Sequence, residues 1–300
     1  MNPRALHRHQ LHRNPLIDGR ETQNHALARF RRRVDSILIS RAELDEADIE
    51  RRLRAPPTLT RPNLVAICSP RGGVGKTTAT FLAGNVLASH PKLRAIAVDA
   101  NPGFGTLGRL CRNREGERTL LTLLDEMDRV ATAADLRRYV SVLPTGLHLL
   151  RAAPADADLA ADRFGHLFAL LACFYDTVLL DLGPGVTAPL ARLAIERADQ
   201  HVLVTTPDRL TANVVLAALD QLPAHETTVL INKAHPHPVD DLRAVDSCFR
   251  DRHPHRTVTI PHDRRLATML DSGTYSLEAL DARARLPVKR LGLSIAEQLV

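Results

Sequence analysis

A short apolar run, Asn63 to Ser69, opens directly into Ser69-Pro70-Arg71-Gly72-Gly73-Val74-Gly75-Lys76-Thr77-Thr78, and a helix-forming stretch follows through Leu87. This passage of strand, glycine loop and helix restricts the fold more than any other part of the chain. Three glycines in four positions let consecutive main-chain N–H groups turn inward around an anion. The helix start adds unpaired donors and the positive end of its dipole. A Lys at the helix entrance can neutralise β/γ-phosphate charge, and the Thr77 hydroxyl can bind Mg²⁺. A glycine turn that merely joins strand to helix has no packing use for the Lys-Thr-Thr that follows it.

Such a loop belongs at the carboxyl end of a strand in a parallel sheet, and the rest of the chain is patterned accordingly. Short apolar runs alternate with helical segments, the signature of a sheet covered on both faces. Strands are predicted at Asn63–Ser69, Ala95–Asp99, Leu147–Leu150, Thr177–Asp181, His201–Thr205, Thr227–Ile231 and Thr257–Ile260. Helices are predicted near 76–89, 118–127, 163–173, 187–197, 211–221, 239–249 and 287–298. The fold class is therefore α/β, with a doubly wound, mostly parallel sheet of seven to eight strands over residues 63–300. No internal repeat is evident.

Residues 1–62 read differently. They hold 13 Arg and no Lys against 8 acids, so this segment carries +5 of the chain's net +6. Its first two dozen residues lack periodicity and are expected to be disordered. From Asn24 to Ser40, Leu27, Phe30, Val34, Ile37 and Leu38 recur at helical spacing among arginines, which predicts a basic amphipathic helix. Ser40 and Glu43 form a capping-box pattern that would open a second helix to about Arg54. Pro56, Pro57 and Pro62 mark the domain boundary. The charge suits nonspecific contact with DNA, an anionic membrane face or an acidic protein. A packed or solvated arm is the competing reading. With ten Phe, Tyr and Trp in the whole chain, a base-stacking platform is disfavoured.

Composition narrows the class further. No apolar run approaches the roughly eighteen residues that a membrane span requires, and the start has no secretory signal pattern. A cytoplasmic setting is expected. Cys68, Cys111, Cys173 and Cys248 form no C-x-x-C, so zinc-ribbon and redox-motif readings lapse. The fourteen histidines, among them His7, His9, His12, His235 and His237, show no metal-ligand spacing.

Other segments carry chemistry that fits a phosphate loop. Val98-Asp99-Ala100-Asn101-Pro102 follows Lys76 by one helix and one strand, which brings Asp99 to the carboxyl end of a neighbouring strand. Val178-Leu179-Leu180-Asp181 is an apolar strand ending in an acid, followed by Leu182-Gly183-Pro184-Gly185. Val229-Leu230-Ile231-Asn232-Lys233 and Ile260-Pro261-His262-Asp263 are further strand ends. Alone, each is ordinary cap or turn chemistry.

The strict G-x-x-x-x-G-K-[ST] pattern fails, because Pro70 stands at its first glycine. What remains, Arg71-Gly72-Gly73-Val74-Gly75-Lys76-Thr77-Thr78, resembles the deviant Walker A ATPases of the MinD/ParA group, a resemblance that covers about residues 63–300. It implies ATP or ADP bound by Gly72, Gly73, Val74, Gly75, Lys76, Thr77 and Thr78, with Asn232 and Pro261 lining the adenine pocket. It implies Mg²⁺ held by Thr77, Asp99 and Asp181, with residues 183–185 as switch II. Lys76, Arg71 and Asn101 take the catalytic positions. Two of these depart from the family. Arg71 stands at the signature Lys, which crosses to the phosphates of the partner subunit in a nucleotide-sandwich dimer, and Arg keeps the charge with another reach and geometry. Asn101 stands at the switch I Asp that orients the attacking water. An amide cannot accept a proton as a carboxylate does, so hydrolysis is expected to be slow.

The functional expectation is an ATP-dependent homodimerisation switch in positioning, partitioning or secretion-linked assembly, acting with a protein cargo or activator. A catalytically weak regulatory scaffold is the alternative, and a kinase on the same loop is a third reading. The C-terminal residues 290–300 read as the last helix of the fold and not as a membrane tail.

Overall fold

The computed structural model describes residues 43–55, 59–102, 105–110, 118–154, 161–223, 226–235, 239–252 and 256–299. The helix expected over 24–40, Ser40, Cys111 and His7, His9, His12 and His237 lie outside the described residues. The chain divides into two compact units, 1–47 and 48–300. Of the first, only residues 43–47 are described, and they are helical.

The second unit is built on eight strands: β1 (Asn63–Cys68), β2 (Ala95–Ala100), β3 (Ser141–Val142), β4 (His148–Leu150), β5 (Thr177–Leu182), β6 (Gln200–Thr205), β7 (Glu226–Ala234) and β8 (Thr257–Pro261). They form one sheet in the order β3-β4-β2-β5-β1-β6-β7-β8. All neighbours run parallel except the short β3, which pairs antiparallel with β4 at the edge. The seven predicted strands are all present. β3 supplies the eighth, and two residues are too few to show a period in sequence.

Alternation along each strand sends side chains to two cores. Val65 and Ile67 of β1, Ala95 and Ala97 of β2 and Leu179 of β5 join one apolar cluster. Ala66, Cys68, Ile96, Val98, Val178 and Leu180 join the other. The first core is roofed by helices α2 (Lys76–Ala88), α9 (Arg264–Ser272) and α10 (Ala282–Ala296). The second is covered by α3 (Leu120–Asp125), α5 (Ala161–Ala172), α6 (Pro189–Arg197), α7 (Arg209–Leu219) and α8 (Val239–Arg252). The helical residues 43–54 form α1 and 133–136 form α4. From α1, Glu50 pairs with Lys289 at 2.5 Å and Arg52 pairs with Glu297.

Helix α2 is buried along nearly its whole length, because it lies between the sheet and α10. The close crossing is made possible by Gly292, where an added Cβ would stand 2.2 Å from Val86 Cγ1. Two predicted helix features shift. α9 is absent from the predicted helices although Leu266, Met269 and Leu270 stand at helical spacing, and it is held by Asp263, whose carboxylate accepts the N–H groups of Arg265 and Leu266. α10 starts at Ala282, capped by Asp281, and carries Pro287 inside it. The sequence reading placed this helix near 287–298, five residues too late at its start.

Candidate functional site

Strand parity settles which side chains meet. Asp99 continues the Ala95–Ala97 parity and Asp181 continues that of Leu179, so both acids emerge on the face that α2 covers. In the parallel pairing of β2 with β5 the two acids are directly opposite one another. β1 lies on the other side of β5, so the glycine loop and the entrance of α2 open above the same strand ends.

The loop is shaped by glycine. Gly73 and Gly75 have φ of 75° and 101°, the left-handed region in which a Cβ is costly. Gly75 is also the N-cap of α2 and receives no side-chain cap. The main-chain N–H groups of residues 72–78 find no acceptor among the described residues. Amides with no partner at a helix entrance are able to bind an anion.

Around this cradle the polar groups are concentrated and mostly buried. Lys76 is 8% exposed. Its Nζ donates to the Arg71 carbonyl at 3.3 Å. Burial pulls its ammonium below the usual range, opposed by the Asp181 carboxylate. The Thr77 hydroxyl donates to Asp181 Oδ2 at 2.6 Å, and the Thr106 hydroxyl donates to Thr77 Oγ1 at 3.4 Å. Asp181 is 2% exposed, and its second oxygen, Oδ1, has no hydrogen-bond partner. Desolvation pushes its pKa up to about 7, opposed by Thr77, Lys76 and Thr80 and helped by Asp99. Asp99 is likewise raised by burial, to about 6, against bonds from the main-chain N–H groups of Asn101, Leu107 and Gly108.

These contacts sort the sequence-predicted residues. Lys76, Thr77 and Asp181 are joined directly or through the loop, and Asp99 faces Asp181 across the strands. Asp99 also organises the segment after β2, accepting from Leu107 N–H at 3.0 Å. Asn101 lies against the glycine turn after β5: a Cβ on Gly183 would stand 2.9 Å from Asn101 Oδ1. Gly185 N–H donates to the Ser69 carbonyl at 3.1 Å, tying that turn to the phosphate loop. Arg71 is exposed at the loop's rim, and Thr78 sits half-buried in the first turn of α2. Asn232, 4% exposed, donates through Nδ2 to the Val74 carbonyl at 2.9 Å. Pro261 ends β8, paired with Ala234.

Two groups at the site escaped the sequence reading. Thr106 lies in a segment whose path only the fold reveals. Lys233 stood in the quoted motif without a role, yet its Nζ donates to the Gly73 carbonyl at 2.7 Å. Its nearness to a strand-end Asn was the only available signal.

Among the described residues, no cluster of three His, Cys, Asp or Glu side chains could chelate a metal unaided. The donor set here is two carboxylates and a hydroxyl, with one carboxylate oxygen buried and unpartnered. It suits a hard cation that takes its remaining oxygens from phosphate and water. Among the described residues, no helix is long and apolar enough to cross a membrane.

No protein-family profile matches the sequence. The chain is similar to the ESX-1 secretion-associated protein EspI of Mycobacterium tuberculosis, 30% identical over 290 residues, which are 91% of this chain and 41% of EspI. It thus spans about two fifths of that relative's length. Among solved structures, the ParA family ATPase of Chlorobium tepidum superposes with a TM-score of 0.63 at 20% identity, covering 77% of this chain and 98% of that one. The septum site-determining protein MinD of Pyrococcus horikoshii, complexed with Mg-ADP, gives 0.60 at 18% identity over 77% and 94%. Sheet order and these superpositions show that the chain has the fold of the ParA and MinD ATPases.

Proposed function

We propose that the chain binds ATP and ADP with Mg²⁺ and acts as a slowly hydrolysing, nucleotide-dependent dimerisation switch. The observation that carries this reading is the arrangement at the mouth of β1. A helix entrance with unpaired amides and a buried ammonium faces a buried carboxylate that holds Thr77 with one oxygen and leaves the other unpartnered. The Mg-ADP complex of the Pyrococcus relative supports the choice of ligand.

The roles follow from charge and reach. Residues 72–78 supply amides to the phosphates, and Lys76 neutralises their negative charge. Thr77 and Asp181 would hold Mg²⁺, with Asp99 beside them. A bound cation would supply positive charge to offset that of the phosphates. Asn101, against the Gly183 turn, would orient a water without taking its proton. Turnover below about 1 s⁻¹ is therefore expected. Arg71, exposed and free to extend, would reach phosphate held by a second copy. Asn232 and Pro261 border the space where the base would lie. The EspI relative favours a secretion-linked setting over partitioning, with a protein cargo or activator still to be found. The Arg-rich segment before residue 43 would supply any DNA or anionic-membrane contact. A regulatory scaffold that binds nucleotide with negligible turnover is the second reading, favoured by the Asn101 amide.

Calorimetry tests the core of the proposal. Mg·ATP and Mg·ADP should bind wild-type protein, with affinity lost in Lys76→Ala and strongly reduced when Mg²⁺ is chelated. Absence of uptake by wild-type protein refutes the reading. Mass measurement with ADP and with ATP then separates switch from scaffold: a dimer that forms with ATP alone and is lost in Arg71→Ala supports the switch.

A further inference from the structure

Apart from glycines, the described residue with left-handed backbone is Lys233, at φ 56°. It follows Asn232 at the carboxyl end of β7, where the ladder to β8 slips between Ile231 and Ala234. A non-glycine residue in this region is uncommon and is retained where the surroundings over-determine it. Here the conformation directs the ammonium back onto the phosphate loop, where Nζ donates to the Gly73 carbonyl at 2.7 Å. The adjacent Asn232 donates to the next carbonyl, that of Val74, at 2.9 Å. Two consecutive residues of β7 thus grip two consecutive peptide units of the loop, reaching across β6 to do so.

A trans peptide is planar, with its N–H on the edge opposite its carbonyl. Pinning the Gly73 carbonyl outward therefore turns the Val74 N–H toward the cradle, and pinning the Val74 carbonyl does the same for the Gly75 N–H. We infer that Lys233 is a positioning residue for phosphate: with Asn232 it presets two amide donors of the loop before ligand arrives, so that binding need not order them. The brace also links the strand end that borders the proposed base site to the phosphate site, through atoms that touch neither reacting group. This inference rests on the nucleotide-binding reading above.

The strain makes the idea separable from a general structural role. Lys233→Gly removes the ammonium and also the Cβ cost of the left-handed backbone, so the nucleotide-free protein should melt no lower than wild type. Its affinity for Mg·ADP should nevertheless fall about tenfold, on the order of the cost of ordering one backbone residue that the brace no longer presets. Lys233→Met should lose as much, and Lys233→Arg, which can still donate to the Gly73 carbonyl, should recover most of it. Calorimetry with Mg·ADP and thermal melts of all four proteins decide the matter. If wild type binds and Lys233→Met binds within about twofold of it, the inference is overturned while the nucleotide reading stands. Failure of Lys233→Arg to exceed Lys233→Met also overturns it. If wild-type protein takes up no Mg·ADP, the nucleotide reading itself falls and takes this one with it.

Discussion

Replacing Asp181 by Asn should stabilise the nucleotide-free protein while abolishing the benefit of Mg²⁺. The carboxylate is 2% exposed, and burial is the main reason its pKa sits at about 7. In the unfolded chain an aspartate titrates near 3.9. A folded value above the unfolded one means that ionisation is penalised in the fold. The penalty is absent below about pH 4, grows between pH 4 and 7 and is complete above about 7, where the gap corresponds to about 4 kcal/mol. Asn carries no such cost and its oxygen can still accept from Thr77, but its new N–H₂ faces the unpartnered Oδ1 position and forfeits about 1–2 kcal/mol. A net gain of about 2 kcal/mol at pH 8 follows, or about 4–8 °C in melting temperature for a unit of this size. At pH 5 the two proteins should differ little. Asp99, raised to about 6, contributes a slope of the same sign to both. With saturating Mg·ADP the order should invert, since ligand at about a hundred times its dissociation constant adds about 2.7 kcal/mol to wild type alone. Thermal melts from pH 5 to 8, with and without Mg·ADP, provide the assay. A variant that melts at or below wild type at pH 8 without nucleotide, by a margin independent of pH, would refute the reasoning.

Further expectations concern neighbouring residues. Asn101→Asp should raise single-turnover ATP hydrolysis by about tenfold or more, read by phosphate release; an unchanged rate would mean that switch I is not limiting. Gly75→Ala forces a Cβ into φ 101° and within 2.1 Å of Asn232 Nδ2, and should cost about 2 kcal/mol or more. Adding Asn232→Ala should restore part of that loss in a double-mutant cycle. At the opposite end of the sheet, burial pushes Asp176 up, but bonds from the Arg94 guanidinium at 2.7 Å and from Arg94 N–H outweigh it and hold it below the usual range. Its folded value lies below the unfolded one, so the stabilisation is present above about pH 4 and is lost as pH falls through the folded value. Arg94 is largely exposed, so Arg94→Ala should remove about 1 kcal/mol at pH 7 and flatten the acid limb of the melting curve.

Much of the architecture could be read from the chain because its signals are local. A strand buried on both faces is mostly apolar, so β1, β2, β5 and the middle of β6 stand out as short runs, and the glycine loop declares where one of them ends. What failed to show was short or depended on distant partners. β3 has two residues, and α9 is held by the Asp263 cap and by the apolar cluster that receives Leu266 and Met269.

The candidate site divides along the same line. Residue types and order alone put glycines, Lys76, Thr77 and two strand-end acids into one chain, because an anion cradle and a hard-cation site each need those chemistries whatever surrounds them. Register, parity and backbone conformation decided the rest. That Asp99 and Asp181 face one another on the α2 side follows from how β2 and β5 align, and that Asn101 meets Gly183 depends on loops from different strands. Lys233 grips the phosphate loop only because β7 lies two strands from β1 and bends at its end. Such contacts join residues as much as 160 positions apart, and no local pattern in a single chain encodes which distant carbonyl an ammonium will reach.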